Sequence, residues 1–96
     1  MTQREHLINQ IRRQRALIEA EGVTELYLFG SQARGDGDEF SDVDVAVKYN
    51  EHFNLLNQVG VQQLLSERLD TSVDVVTFDA LARMAENPTA DLVRVF

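Results

Sequence analysis

The 96-residue chain has no cysteine, which removes thiolate metal sites, disulfide staples and cysteine nucleophiles at once. Proline is all but missing: Pro88 stands alone, and no linker, internal repeat or low-complexity tract divides the chain. No apolar run approaches the roughly 18 residues of a membrane-crossing helix, and Met1 to Gln10 lacks the hydrophobic stretch of a signal peptide. One cytoplasmic domain over residues 1–96, without membrane attachment, is the expectation. Basic residues are short as well. Nine Lys and Arg face sixteen Asp and Glu, for a net charge of −7, whereas non-specific nucleic-acid binding runs on cations that neutralise phosphates. The chain is not expected to hold nucleic acid on its own.

The basic charge that exists collects early, at Arg4, Arg12, Arg13 and Arg15. The acids collect in the middle, where Asp36, Asp38, Glu39, Asp42 and Asp44 crowd together with no basic residue among them. Composition alone would make this a solvated loop; its placement along the chain says more.

Thr2 and Glu5 have the spacing of a helix-initiating capping box, and Leu7, Ile8, Ile11 and Ile18 recur at helical intervals up to a stop at Gly22. Gln14 interrupts that apolar seam. Residues Thr24 to Phe29 read as a first strand, followed by a glycine-bearing turn from Gly30 to Gly37. Asp42 to Lys48 alternates strictly: Val43, Val45 and Val47 face one way, and Asp42, Asp44, Ala46 and Lys48 the other. Asn54 to Leu69 is expected to be helical, weakened at Gly60, and Val73 to Phe78 to be a third strand. A helix over Asp79 to Glu86 ends before Pro88, and Thr89 to Phe96 suits either a last helix or an edge strand. The order implies an α/β domain: a small mixed β-sheet flanked by α-helices, with the helices on the valine face.

Asp42 and Asp44, two apart on one strand, leave the same face. Like charges held so close repel, and the pair persists if a cation sits between them; hard divalent ions with oxygen ligands, magnesium above all, suit it. Asp74, between Val73 and Val75, is a poor strand former placed inside a strand. If the two strands are neighbours, it supplies a third carboxylate, and three carboxylates can bridge two metals for in-line displacement at phosphorus. Ahead of them, Gly30-Ser31-Gln32-Ala33-Arg34-Gly35 offers close backbone approach, a hydroxyl at Ser31, free N–H groups and the Arg34 guanidinium, the parts of a phosphate cradle. Gly30 and Gly35 have Walker A spacing, but Asp36 and Gly37 stand where its Lys and Ser/Thr belong. Asp36-Gly37-Asp38 opens like an EF-hand, yet Phe40, Ser41 and Val47 occupy its fifth-ligand, glycine and glutamate positions. Both readings fail.

The turn Gly30 to Gly35, six intervening residues, then Asp42-Val43-Asp44-Val45 resembles the signature of the polymerase-β-like nucleotidyltransferase superfamily. The short length and the run Ser41-Asp42-Val43-Asp44 resemble its minimal nucleotidyltransferase (MNT) branch, with compatible motifs from about Leu26 to Val76. The resemblance implies ATP or another NTP as donor and two Mg²⁺ ions, with Asp42 and Asp44 as ligands of both. It implies Asp74 as the third carboxylate, beside which the acceptor hydroxyl is activated, and Gly30 and Ser31 as holders of the β- and γ-phosphates. Arg34 matches the family's motif position. Proteins of this kind are similar to antitoxins encoded beside HEPN-domain proteins, and the family can adenylylate a tyrosine hydroxyl of that partner. Relatives often continue into a further strand where this chain stops at Phe96, and the larger substrate domain of antibiotic-modifying relatives is missing.

Lys48 shares the metal face by parity, though strands commonly end in a solvated lysine. His6 and His52 read as surface residues, and Tyr27 and Phe29 as core and pocket wall. Two functions follow: transfer of AMP to a hydroxyl of a partner protein, or an idle nucleotide site on an antitoxin that neutralises its partner by binding alone. A domain too small to enclose its acceptor is expected to receive it on another protein's surface. The arginine-bearing first helix, with its incomplete seam of Leu7, Ile11 and Ile18, is one candidate docking face.

Overall fold

A computed structural model of the chain describes residues 2–35, 42–84 and 91–96. Its elements are α1 (Gln3–Arg12), α2 (Arg15–Ala20), β1 (Val23–Phe29), α3 (Gly30–Arg34), β2 (Val43–Tyr49), α4 (Leu55–Leu69), β3 (Val73–Thr77), α5 (Phe78–Met84) and β4 (Val93–Arg94). The strands form one mixed sheet in the order β3-β2-β1-β4. β1 runs antiparallel to β2 and β4, while β2 and β3 are parallel, with α4 as their crossover. Among the described residues no helix is long and apolar enough to cross a membrane.

The expected first helix is two helices. Its start lies at Thr2 and shows one half of the expected box, the Thr2 hydroxyl accepting the Glu5 N–H at 3.1 Å. The chain then tightens at Arg13 and Gln14, where the Gln14 N–H reaches back only to the Ile11 carbonyl, 2.9 Å away, and α2 restarts beyond it. The break falls at the one polar residue in the seam. Gly22 still ends the helical stretch: its φ is +102°, and a Cβ there would lie 2.9 Å from Asn50 Oδ1 and 3.1 Å from Phe53 Cβ. The predicted turn after β1 is also helical at its start, as the short α3; residues 36–41, which hold Asp36, Asp38 and Glu39, lie outside the described residues, as do 85–90. The last segment resolves to an edge strand: Val93 and Arg94 pair with Leu28 and Tyr27, and Val95 and Phe96 extend the pairing to Leu26.

Alternation in the strands sorts the sheet into two faces. Leu26, Leu28, Val43, Val45, Val47, Val73 and Val75 pack against Leu7 and Ile11 of α1, Ile18 of α2, and Val61 and Leu65 of α4, all of them buried. The docking face expected on α1 is therefore core: Leu7, Ile11 and Ile18 are 4%, 0% and 0% exposed. Two of the early arginines serve the fold. Arg4 donates to the Ala33 carbonyl at 3.0 Å and Arg12 to the Val95 carbonyl at 2.7 Å, fastening α1 to α3 and to the C-terminal strand.

α4 begins with a reciprocal cap, Asn54 and Asn57 each accepting the other's backbone N–H. It also closes the outer edge of β3. Gln58 donates to the Val75 carbonyl at 2.8 Å, Gln62 accepts the Val75 N–H at 3.0 Å, and Ser66 accepts the Val73 N–H at 3.2 Å. Four helical residues rise about 6 Å and two strand residues about 6.6 Å, so Gln62 and Ser66 keep step with Val75 and Val73, while Gln58 takes the Val75 carbonyl.

Candidate active site

The opposite face of the sheet carries the polar chemistry. Register places Asp44 beside Asp74 of β3 and opposite Phe29 of β1; two residues further, Ala46 lies beside Val76 and opposite Tyr27; Lys48 lies opposite Glu25. The condition attached to Asp74 is thus met: its strand neighbours β2, and it shares a register position with Asp44. Asp42 is exposed and sits one residue ahead of β2.

Asp44 is the strained member. Partial burial, then the charge of Asp74, then that of Asp42 raise its carboxyl above the ordinary aspartate range. Nearby, Lys48 and Arg94 pair with Glu25 at 4.0 and 3.4 Å, and Arg34 with Asp91 at 3.6 Å. Excess negative charge on oxygen ligands fits a hard divalent cation. Among the described residues, however, no group of three His, Cys, Asp or Glu side chains is gathered closely enough to hold a metal ion. Asp42, Asp44 and Asp74 are neighbours in register and in charge, not the converged cage the sequence reading expected. Mutual repulsion keeps three carboxylates from closing without a cation.

Gly30 turns out to be demanded by Asp44. Its φ is +75°, and a Cβ built there would stand 2.7 Å from Asp44 Oδ2. The space a glycine leaves there admits the Asp44 carboxylate to the head of α3. Gly30 is thus brought to Asp44, and Ser31 follows it in the first turn of α3. Arg34 is one helical turn further, half-exposed, and pairs with Asp91 at 3.6 Å. His6 and His52 are exposed, as expected.

Two groups went unread in the sequence. Glu25, Tyr27, Lys48, Phe78 and Arg94 form a connected patch beyond Ala46. The Tyr27 hydroxyl donates to Glu25 at 2.6 Å, which lowers the Glu25 carboxyl and raises the Tyr27 hydroxyl. The Lys48 ammonium lies 4.8 Å from the centre of the Phe78 ring and 5.7 Å from that of Tyr27. Strand parity pointed at Lys48, and Tyr27 was expected as core or pocket wall, but Phe78 was placed inside β3 instead of at the start of α5. The second group, Gln58, Gln62 and Ser66, was visible as a polar stripe at every fourth position, with nothing to say which strand it served.

The sequence pattern of the nucleotidyltransferase domain family matches residues 8–94. The chain belongs to that family. A relative from Methanocaldococcus jannaschii, named as a protein adenylyltransferase, is 36% identical over 75 residues, which are 77% of this chain and 81% of the relative. Among solved structures, a minimal nucleotidyltransferase superposes with a TM-score of 0.69 at 28% identity, over 90% of this chain and 93% of that one. A toxin–antitoxin structure with AMP-PNP gives 0.68 at 24% identity, over 93% of this chain and 72% of that one. A complex of the tri-AMPylated HEPN toxin of Shewanella oneidensis with its MNT antitoxin gives 0.62 at 21% identity, over 97% and 71%. The mixed sheet flanked by helices is the fold of these nucleotidyltransferases. In this nucleotidyltransferase the head of α3 and the start of β2 meet at Gly30 and Asp44, and β3 brings Asp74 to the same level.

Proposed function

We propose that the chain, residues 1–96 as one domain, is a magnesium-dependent nucleotidyltransferase that moves AMP from ATP to a hydroxyl of a partner protein. The partner is a HEPN-domain toxin that the modification silences, in the cytoplasm. The observation that carries the reading is the meeting of Gly30, Asp44 and Asp74: a carboxylate raised by its neighbours' charge, at the head of a short helix. Asp42, Asp44 and Asp74 would hold Mg²⁺, which, when bound, offsets charge on the phosphates and on the carboxylates together. Gly30 and Ser31 hold the β- and γ-phosphates through backbone N–H groups and the Ser31 hydroxyl. Arg34 exchanges Asp91 for phosphate, a small loss, since exposed pairs are worth about 0–1 kcal/mol. The acceptor oxygen bonds to the α-phosphorus, the bond to the bridging oxygen breaks, pyrophosphate leaves, and the hydroxyl proton passes to Asp74.

Supporting the partner are the adenylyltransferase name of the Methanocaldococcus relative and the HEPN toxin in the Shewanella complex. The chain's surplus of acid argues against nucleic acid as the acceptor. Intact mass of the partner, after incubation with the chain and Mg-ATP, tests it. A gain of whole AMP units that Asp42→Asn abolishes is the expected result. A partner bound and silenced without any gain in mass would leave the idle antitoxin as the function. ATP affinity measured by calorimetry tests the metal separately: equal binding in Mg²⁺ and in EDTA would remove it from the site.

A further inference from the structure

The apolar seam of α1 is core, and the apolar surface left uncovered lies on α4. Leu55 and Leu56 are 73% and 81% exposed, and Val59 and Tyr49 are 45% and 42% exposed. Val59 is one turn from both leucines, and all three lie outside the face of α4 that Val61 and Leu65 bury. Tyr49 and Leu55 share a cavity of about 190 Å³ with Phe53, Asn54, Gln58 and Thr77. The Phe53 ring stacks on that of Tyr49, with centres 4.9 Å apart. The patch therefore runs from the end of β2 onto the start of α4.

Neither the core nor the helix asks for these leucines. The first turn of a helix favours acids, whose charge meets the positive end of its dipole, yet α4 has no acid there. Its cap is already complete, made by Asn54 and Asn57. A leucine left in water at that place forgoes the gain of an acid and the gain of burial together. Apolar residues scattered singly on a surface are ordinary; a contiguous patch with a polar rim marks an interaction site.

The rim here is acidic. Glu21 accepts from Asn57 Nδ2 at 3.0 Å and lies beside Gly60 on one flank. Asp79 accepts the Tyr49 hydroxyl at 3.2 Å on the other. Glu51 stands exposed in the turn between Tyr49 and Phe53. Lys48, next to Tyr49 in the chain, is turned to the open face, over the rings of Phe78 and Tyr27. A second copy, meeting this patch with the same patch, would set these carboxylates against their own kind, on a chain that already carries −7. Charge complementarity selects a basic partner instead.

We propose that this patch holds the protein that receives AMP. A ridge of the partner's apolar side chains, flanked by lysine or arginine, lies on Leu55, Leu56 and Val59, with one side chain in the cavity beside Tyr49. The proposal rests on the transferase reading and adds the surface by which the partner is gripped. Tyr49 is five residues along β2 from Asp44, about 17 Å at ~3.3 Å per residue, so the grip is clear of nucleotide and metal. A partner held there keeps its hydroxyl at a high effective concentration near the site.

The test is calorimetric binding of the whole chain to the HEPN-domain protein encoded beside it, with Leu55→Asp and Leu56→Asp made singly and together. Aspartate supports a helix start, so the melting temperature should not fall. Each change should weaken the partner about tenfold or more, with Mg-ATP affinity as in the parent. Glu51→Lys should weaken it further and flatten the fall of affinity with salt. Partner affinity unmoved by the paired substitution would overturn the surface, as would affinity that rises with Glu51→Lys. A dimer of the free chain in sedimentation, dissolved by Leu56→Asp, would overturn it too and give the patch to a second copy. Intact mass of the partner separates the two claims. Binding that the paired substitution abolishes, without any gain of AMP, leaves the surface standing and removes the transferase reading. Transfer by the parent, with partner affinity indifferent to the substitutions, does the reverse.

Discussion

The two faces of strand β2 are made from alternate residues of one seven-residue stretch, and they obey opposite rules. Val43, Val45 and Val47 are sealed against the helices, 0–1% exposed. Asp44 and Lys48, on the other side, keep partial exposure, and Asp44 holds a charge that its surroundings disfavour. Ala46 is buried on that same side, below the level where Tyr27 and Phe78 meet, so the open face has a filled middle between its aspartates and its lysine. The packed face supplies stability; the open face spends some of it to keep three carboxylates near one another. A rigid strand joins the two, so the geometry of the site is only as firm as the core behind it.

Substitutions on the two faces should separate stability from activity. The largest effect is expected from Asp44→Asn. Losing a ligand of the metal that would offset transition-state charge, worth several kcal/mol, should cut AMP transfer by about a thousandfold or more, while the melting temperature of the free protein stays the same or rises. A drop in both would mean Asp44 belongs to the fold. Leu28→Ala, on the packed face, should behave the other way. A cavity in the core costs about 2–5 kcal/mol, read by urea denaturation, with transfer per folded molecule nearly unchanged. Gly30→Ala sits where the faces meet. An alanine forced to positive φ costs about 1–2 kcal/mol, and its Cβ would push on Asp44 Oδ2, so stability and transfer should fall together.

Smaller effects sharpen the picture. Gln62→Ala should strip the Val75 N–H of its partner at the edge of β3 and cost about 1 kcal/mol, with faster hydrogen exchange at Val75 and little change in transfer. The smallest is a dependence on pH. The Asp44 carboxyl is raised in the folded chain relative to the unfolded one by burial and by Asp74 and Asp42, so the folded state binds its proton more tightly. Stability of the metal-free protein should then fall as pH rises through the raised value, and be recovered as pH drops toward the ordinary aspartate range. Asp44→Asn should flatten that part of the profile. A profile left unchanged by Asp44→Asn would show that neither burial nor the neighbouring carboxylates raise Asp44.

Local pattern was enough for several features of this protein. Alternation in Val43 to Lys48 is a property of a two-residue period, so it told which side chains share a face before any partner was known. The cap at Thr2, the helix after Asn54 and the stop at Gly22 are likewise written in neighbouring residues. The spacing of Gly30 to Asp44 named the candidate site because turn and strand lie close in the chain. What depends on distant pairing was out of reach. The role of Leu7, Ile11 and Ile18 as core, not docking surface, follows from α1 lying under the sheet. The adjacency of Asp74 to Asp44 needed β3 to cross over beside β2, and the edge-strand fate of Val93 and Arg94 needed β1 to leave a free edge. The meeting of Lys48 with Phe78 needed α5 to fold back from the end of β3. Gly30 shows the division most clearly. Its presence in a turn was legible, but the reason no side chain fits there is a carboxylate fourteen residues away, placed by antiparallel pairing of β1 with β2 that no local preference specifies.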